Sequence, residues 1–164
     1  MGILATFGKT ATKCTFHGGS NMSGETLSFK IVNVNLSLDE IPDVTLAGTE
    51  ITGKQLFCSE DIGNGTHLGV DRLRLLPGEK FPKHTHPGHH LLYIIKGMGT
   101  VTIEDKVYVT VPGDLYLVNG NVLHALSAGE TGQLLLSFAV PHKHLSDASR
   151  ILIVPEKKKK RNRA

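Results

Sequence analysis

Residues 78–97 read GEKFPKHTHPGHHLLYIIKG and hold four of the chain's nine histidines: His84, His86, His89 and His90. Side chains two apart in a strand share a face, so His84 and His86 project together, a few ångströms apart. One metal ion needs that separation from two neighbouring ligands. The Pro87–Gly88 step makes a turn or bulge, after which the chain enters an apolar strand. With parity kept, His90 joins Leu92 and Ile94 on one face, while His89 and Tyr93 take the other. A His-x-His followed by a further His at the head of an apolar strand points to a metal site. The plainer alternative is a solvated His-rich turn with incidental metal affinity.

Outward from this stretch the chain is densely punctuated. Eighteen Gly and seven Pro bound short runs rich in Val, Ile, Thr and Leu. Candidate strands are 27–36, 51–57, 68–76, 91–95, 99–103, 106–111, 115–118, 125–127, 133–138 and 151–154. Many short strands between Gly- and Pro-containing turns predict an all-β sandwich or barrel. Only 38–41 and 144–150 could form short helical turns, and neither has an extended apolar stripe. The Gly-, Ser- and Thr-rich residues 1–26 read as an arm that packs across the barrel or onto a second subunit. Residues 27–155 read as one domain, and 156–164 as a tail.

At 164 residues and 17.7 kDa the chain fits one domain. Hydrophobic residues at 40% supply an ordinary core. No apolar run approaches the roughly 20 residues of a membrane span. With 5% aromatics and no Trp, a base-stacking platform for single-stranded nucleic acid is not expected. The net charge of +3 is a property of the tail, because residues 157–163, KKKKRNR, hold six of the eighteen basic residues. The remainder has twelve basic against fifteen acidic residues and is mildly acidic. Such a terminal run reads as a solvated segment, or as a contact to an anionic surface. Cys14 and Cys58 form no CxxC, which argues against a disulfide framework, and Cys58 is expected to pack as a small hydrophobe. The N-terminus has no charged region ahead of a long apolar stretch, so a cytoplasmic protein is expected.

Residues 78–97 also resemble the first motif of the cupin superfamily: Gly, five residues, His-x-His, three or four residues, Glu, six residues, Gly. Gly78, His84, His86, His90 and Gly97 fall at those spacings. The second cupin motif is Gly, five residues, Pro-x-Gly, two residues, His, three residues, Asn. In PGDLYLVNGNVLHALSA, Gly113 begins it and His124 takes the histidine position. Asn119 and Asn121 replace its Pro and Gly; Asn is workable there because it tolerates positive φ. Ala128 stands where the final Asn would be. The likeness covers residues 68–138, about half the chain, and implies a double-stranded β-helix, or small jelly-roll barrel.

The resemblance implies a ligand set of His84, His86, His90 and His124, with His90 in place of the family's Glu. With four neutral imidazoles a divalent ion keeps a site charge near +2, which favours anionic substrates. The implied cofactor is one divalent transition metal, Fe(II) foremost, with Zn, Ni, Mn, Co or Cu as alternatives. The expected activity is a dioxygenase-type oxidoreductase acting on a small anionic or enolisable substrate. The alternatives are a redox-neutral lyase, isomerase or decarboxylase, and a non-catalytic ligand-binding module. Arg72 and Arg74 share one face of 68–76 and would bind a substrate carboxylate if they point inward, but burial cost favours an outward placement. Tyr116 is a candidate phenol donor. His142 and His144 form a second His-x-His, expected at the surface. Inward positions are expected at Leu92, Ile94, Val101, Leu117, Leu126, Leu136 and Phe138. A homodimer is expected, since pairing covers exposed sheet edges. Neither a nucleic-acid partner nor a membrane span is expected.

Overall fold

A computed structural model describes Val34, Leu38, Asp39 and residues 41–155. The expected arm 1–26, the tail 156–164 and all of the candidate strand 27–36 except Val34 lie outside these residues.

Among the described residues nine strands follow in chain order: β1 Val44–Thr45, β2 Thr52–Cys58, β3 Gly69–Leu75, β4 Lys80–Thr85, β5 His89–Ile103, β6 Lys106–Thr110, β7 Leu115–Val118, β8 His124–Val140 and β9 Leu152–Ile153. No helix occurs among the described residues. Of the segments read as helical turns, 38–41 is one hydrogen-bonded turn, closed by Ile41 N–H to Leu38 O, and 144–150 is two in succession, closed by Asp147 N–H to His144 O and by Arg150 N–H to Asp147 O.

Two long strands organise the sheet. The first half of β5 pairs with β7 and with the second half of β8, which also pairs with β3. The second half of β5 pairs with β6 and with the first half of β8, which also pairs with β4. All pairings are antiparallel, so β1-β2-β3-β8-β5-β7 and β9-β4-β8-β5-β6 form two leaves joined through two shared strands. The sheet thereby curls into the double-stranded β-helix that the sequence resemblance implies.

The curl encloses the main core. Leu92, Ile94, Leu126 and Leu135 are buried in it, with Leu73, Leu75, Phe81 and Val118. Removing each such side chain from water contributes about 1.5–3 kcal/mol. A second cluster lies on the outer face of the first leaf, where Leu56 and Leu136 are covered by Val34, Leu38 and Ile41.

Three of the expected inward positions fall elsewhere. Leu117 is exposed because it pairs with Leu91 on the outer face, leaving Tyr116 and Val118 to face the core. Leu136 and Phe138 belong to the outer cluster. Between Gly97 and Gly99 on β5 a single residue opposes four on β8, since Gly97 pairs with Gln133 and Gly99 with Ala128. This irregularity reverses the inward parity of β8 from even positions (Leu126, Ala128) to odd ones (Leu135, Ser137, Ala139). Leu92, Ile94, Val101 and Leu126 are buried as expected. Cys58 is half-buried and disulfide-bonded rather than a free apolar thiol.

Candidate metal centre

Four imidazoles gather where β4, β5 and β8 meet. His84 and His124 are direct cross-strand partners, with ring centroids 4.1 Å apart. His86 stands just past the end of β4 and approaches His124 edge-on, centroids 4.8 Å apart. Its position is set from the second motif: Asn121 N–H donates to the His86 carbonyl at 2.7 Å. Asn121 has φ +64°, the left-handed conformation that Asn tolerates at a tight turn. Gly120 lets that turn close, because a Cβ there would lie 2.2 Å from the Pro87 carbonyl oxygen.

Each of these three rings has its tautomer fixed by backbone. His84 Nδ1–H donates to Pro82 O at 2.8 Å, His86 Nδ1–H to Gly88 O at 2.7 Å and His124 Nδ1–H to Val122 O at 2.9 Å. A carbonyl only accepts, so the proton sits on Nδ1 and each neutral Nε2 presents a lone pair. His86 Nε2 and His124 Nε2 face each other at 3.2 Å. Two lone pairs at that distance repel in a low-dielectric interior, and a shared cation relieves the repulsion. The candidate ligand atoms of His84, His86 and His124 all lie within 4.8 Å of one another, so the three could hold a metal ion.

Burial keeps the cluster neutral. The His84 ring is held down to about 3 and that of His124 to about 4, chiefly by loss of solvation and then by neighbouring imidazoles. Burial also lowers His86 and, more strongly, His90. Neutral rings are the metal-binding form.

His90 stands beside the trio. Its ring stacks on that of His86, centroids 3.9 Å apart and 17° from parallel, and its Nδ1 lies 3.3 Å from Ser137 Oγ on β8. His89 is on the exposed face, as alternation predicts. A cavity of about 20 Å³, room for a water molecule or an ion, adjoins His84, His90 and His124. Most of its wall is apolar, and Ser137 and Arg150 are the other polar residues lining it.

The remaining expected site residues lie away from this cavity. On β3 the inward positions are Asp71, Leu73 and Leu75, so Arg72 and Arg74 take the outer face; Arg72 donates toward Val34 O at 3.4 Å and Arg74 is exposed. Burial cost decides this alternation, as anticipated. Tyr116 packs on the core, its hydroxyl buried without a hydrogen-bond partner and its ionisation pushed up by burial.

His142 is not at the surface. It is 4% exposed and belongs to a buried group with Asp71 and Arg150. Arg150 Nη2 donates to Asp71 Oδ2 at 2.6 Å, and His142 Nε2 lies 3.1 Å from the same oxygen. The His142 ring lies directly over Gly69, where a Cβ would come within 2.0 Å of it. Sequence reasoning missed Asp71 and Arg150. Asp71 had a signal, a carboxylate in phase with Leu73 and Leu75 on the apolar face of VDRLRL. Arg150, at the end of a turn-rich segment, had none.

A curled antiparallel sheet with an imidazole cluster between its leaves defines a small β-barrel with a candidate metal centre. Residues 71–140 match the family described as a cupin domain, and the curled sheet around them has the cupin jelly-roll fold. Solved structures of similar fold include a cupin-2 domain from Rhodospirillum rubrum, 16% identical with TM-score 0.60, covering 78% of this chain and 84% of that one. The polyketide cyclase RemF from Streptomyces resistomycificus is 16% identical with TM-score 0.56, covering 75% and 86%. KdgF from a Halomonas species is 20% identical with TM-score 0.51, covering 57% and 80%. No curated protein matches the chain in sequence.

Proposed function

We propose that the protein is a metal-dependent small-molecule enzyme in which His84, His86 and His124 hold one divalent transition ion. The observation that carries this reading is the convergence of three backbone-locked, neutral imidazoles, two of them 3.2 Å apart at Nε2. Imidazoles without a carboxylate suit Fe(II), Zn, Ni, Co or Cu better than Mg or Ca. Such an ion supplies Lewis acidity and, as iron, one-electron chemistry toward dioxygen. The chain's own residues keep the ligand rings unprotonated, fix their tautomers and surround the cavity with apolar side chains that exclude water.

The reaction class we favour is a dioxygenase-type oxidation. Among the described residues no carboxylate, lysine or phenol lines the cavity, so the wall they form offers few groups for proton transfer. A redox-neutral lyase or isomerase is the second reading, and His90 favours it. An imidazole beside the trio, held by Ser137, is placed to take a proton from a substrate. Oxygen uptake during turnover separates the two: consumption stoichiometric with product supports the first, and equal rates with and without oxygen support the second. Ligand binding without turnover under either condition would contradict both and support a binding module.

We also propose a homodimer in which a second copy covers the outer face of β5 and β7. Leu91, Tyr93, Leu115 and Leu117 are exposed there as cross-strand neighbours, and this apolar band supports the reading. Light scattering on wild type and Leu117→Glu tests it; a monomeric wild type would overturn it.

A further inference from the structure

Arg150 is 5% exposed and lies on the turn segment between β8 and β9. Its guanidinium is anchored by Asp71, a completely buried carboxylate, and by the Lys143 carbonyl, to which Nη1 donates. Nη1 also lies 3.2 Å from His142 Nε2. The Lys143 carbonyl accepts one proton of Nη1, and Asp71 accepts one proton of Nη2. The Nε–H and the second Nη2–H have no hydrogen-bond partner among the described residues.

The same side chain lines two spaces. One is the inner cavity beside His84, His90 and His124. The other is an adjoining cleft beside His86, His90 and Lys143. Among the described residues no carboxylate lines either space, and Asp71 is absent from both walls. Lys143 is tethered by Ser149, whose hydroxyl and carbonyl oxygens accept from Nζ at 2.8 and 3.2 Å. The cleft that adjoins the imidazole cluster therefore carries two tethered cationic side chains, Arg150 paired with Asp71 and Lys143 within electrostatic reach of Asp147, while no described carboxylate lines it.

A buried ion pair is at best a weak contributor to stability, since desolvation offsets most of the attraction. What the Asp71–Arg150 pair does achieve is to hold a guanidinium at the edge of the histidine site. Its uncommitted Nε–H and Nη2–H are adjacent parallel donors, an arrangement that matches the two oxygens of a carboxylate.

We propose that Arg150 is the anion-recognition residue of the histidine site, and that its substrate is a small carboxylate held by that guanidinium edge with its reacting end toward the imidazoles. This rests on the reading of the histidine cluster as the active site. Lys143 adds a second positive charge along the cleft, which draws anions in. Asp71 and His142 act through Arg150 as positioning residues.

The test is a calorimetric titration of malonate, with neutral malonamide as control, into wild type, Arg150→Lys and the double variant Asp71→Asn/Arg150→Met. Metal content is measured in each. Arg150→Lys keeps a cation for Asp71 and removes the paired donor edge. The double variant removes both charges, so no uncompensated ion stays buried. Malonate should bind about 10- to 100-fold more weakly to both variants, as expected for one bidentate charge-assisted contact. Malonamide should not discriminate, and metal content should be unchanged. Equal malonate affinity in wild type and Arg150→Lys, or no malonate binding by wild type at millimolar concentration, overturns the proposal. A wild type without metal overturns the enzyme reading instead, while malonate binding to that protein still decides the role of Arg150.

Discussion

The chain carries two His-x-His pairs, and identical spacing leads to different environments. His84 and His86 lie in and just beyond β4, both buried, each ring locked by a backbone carbonyl and each turned toward His124. His142 and His144 lie beyond β8 on a turn. There the two rings part: His142 is buried against Asp71, while His144 is half-exposed and its Nδ1 is 2.8 Å from Ser146 Oγ. The lesson is that spacing supplies only a shared direction, and only where the backbone is extended. A candidate metal centre needs in addition a third imidazole across the sheet and acceptors that assign every proton. His124 and the carbonyls of Pro82, Gly88 and Val122 meet that need for the first pair, and among the described residues nothing comparable surrounds the second.

The largest effect expected from this contrast is on metal binding. His86→Ala and His124→Ala should each reduce metal occupancy by at least an order of magnitude, whereas His144→Ala leaves it unchanged; elemental analysis of the purified variants reads both. His90→Ala should cost less metal than either of the trio, because His90 Nδ1 is engaged with Ser137 and its ring is stacked rather than convergent. A loss as severe as that of His124→Ala would make His90 a full ligand.

The second pair should show itself in stability. Asp71→Asn takes the carboxylate from beside Arg150 and leaves a buried cation uncompensated, which costs about 3–5 kcal/mol. Urea unfolding measures this, and a change below about 1 kcal/mol would mean that the guanidinium finds solvent.

Acid should affect the first pair through the fold itself. His84 and His124 titrate at about 3 and about 4 when folded, against an ordinary value of 6.5. The unfolded chain therefore binds more protons between those limits, so stability is fully present above about pH 6.5 and is lost as pH falls toward 4 and below. The slope is at most about 1.4 kcal/mol per pH unit for each histidine. Unfolding midpoints of the metal-free protein across this range check it, and His84→Gln should flatten the dependence. The smallest effect belongs to the half-exposed ring: His144→Ala should change stability by less than about 0.5 kcal/mol.

The fold was legible because alternation and turn residues carry it. VDRLRLL, HHLLYII and KVYVT are period-two strands between Gly-, Pro- and Asn-containing turns, and the two-motif spacing placed His84, His86 and His124 near one another. What escaped depends on irregularities that alternation does not encode. Four residues of β8 oppose one of β5, which moved Leu136 and Phe138 to the outer face. The apolar identity of Leu117 hid its outward parity, set by pairing with Leu91. The group of Asp71, His142 and Arg150 joins residues up to 79 positions apart, and no local pattern announces a contact of that range.

The measurement that bears most directly on the central claim is metal analysis of untagged protein, purified without added metal and then titrated anaerobically with Fe(II). Close to one transition-metal ion per chain is expected, either retained through purification or taken up in the titration, and lost in His124→Ala. A wild type that neither retains an ion nor takes one up, or a His124→Ala variant that binds as wild type does, would contradict the claim.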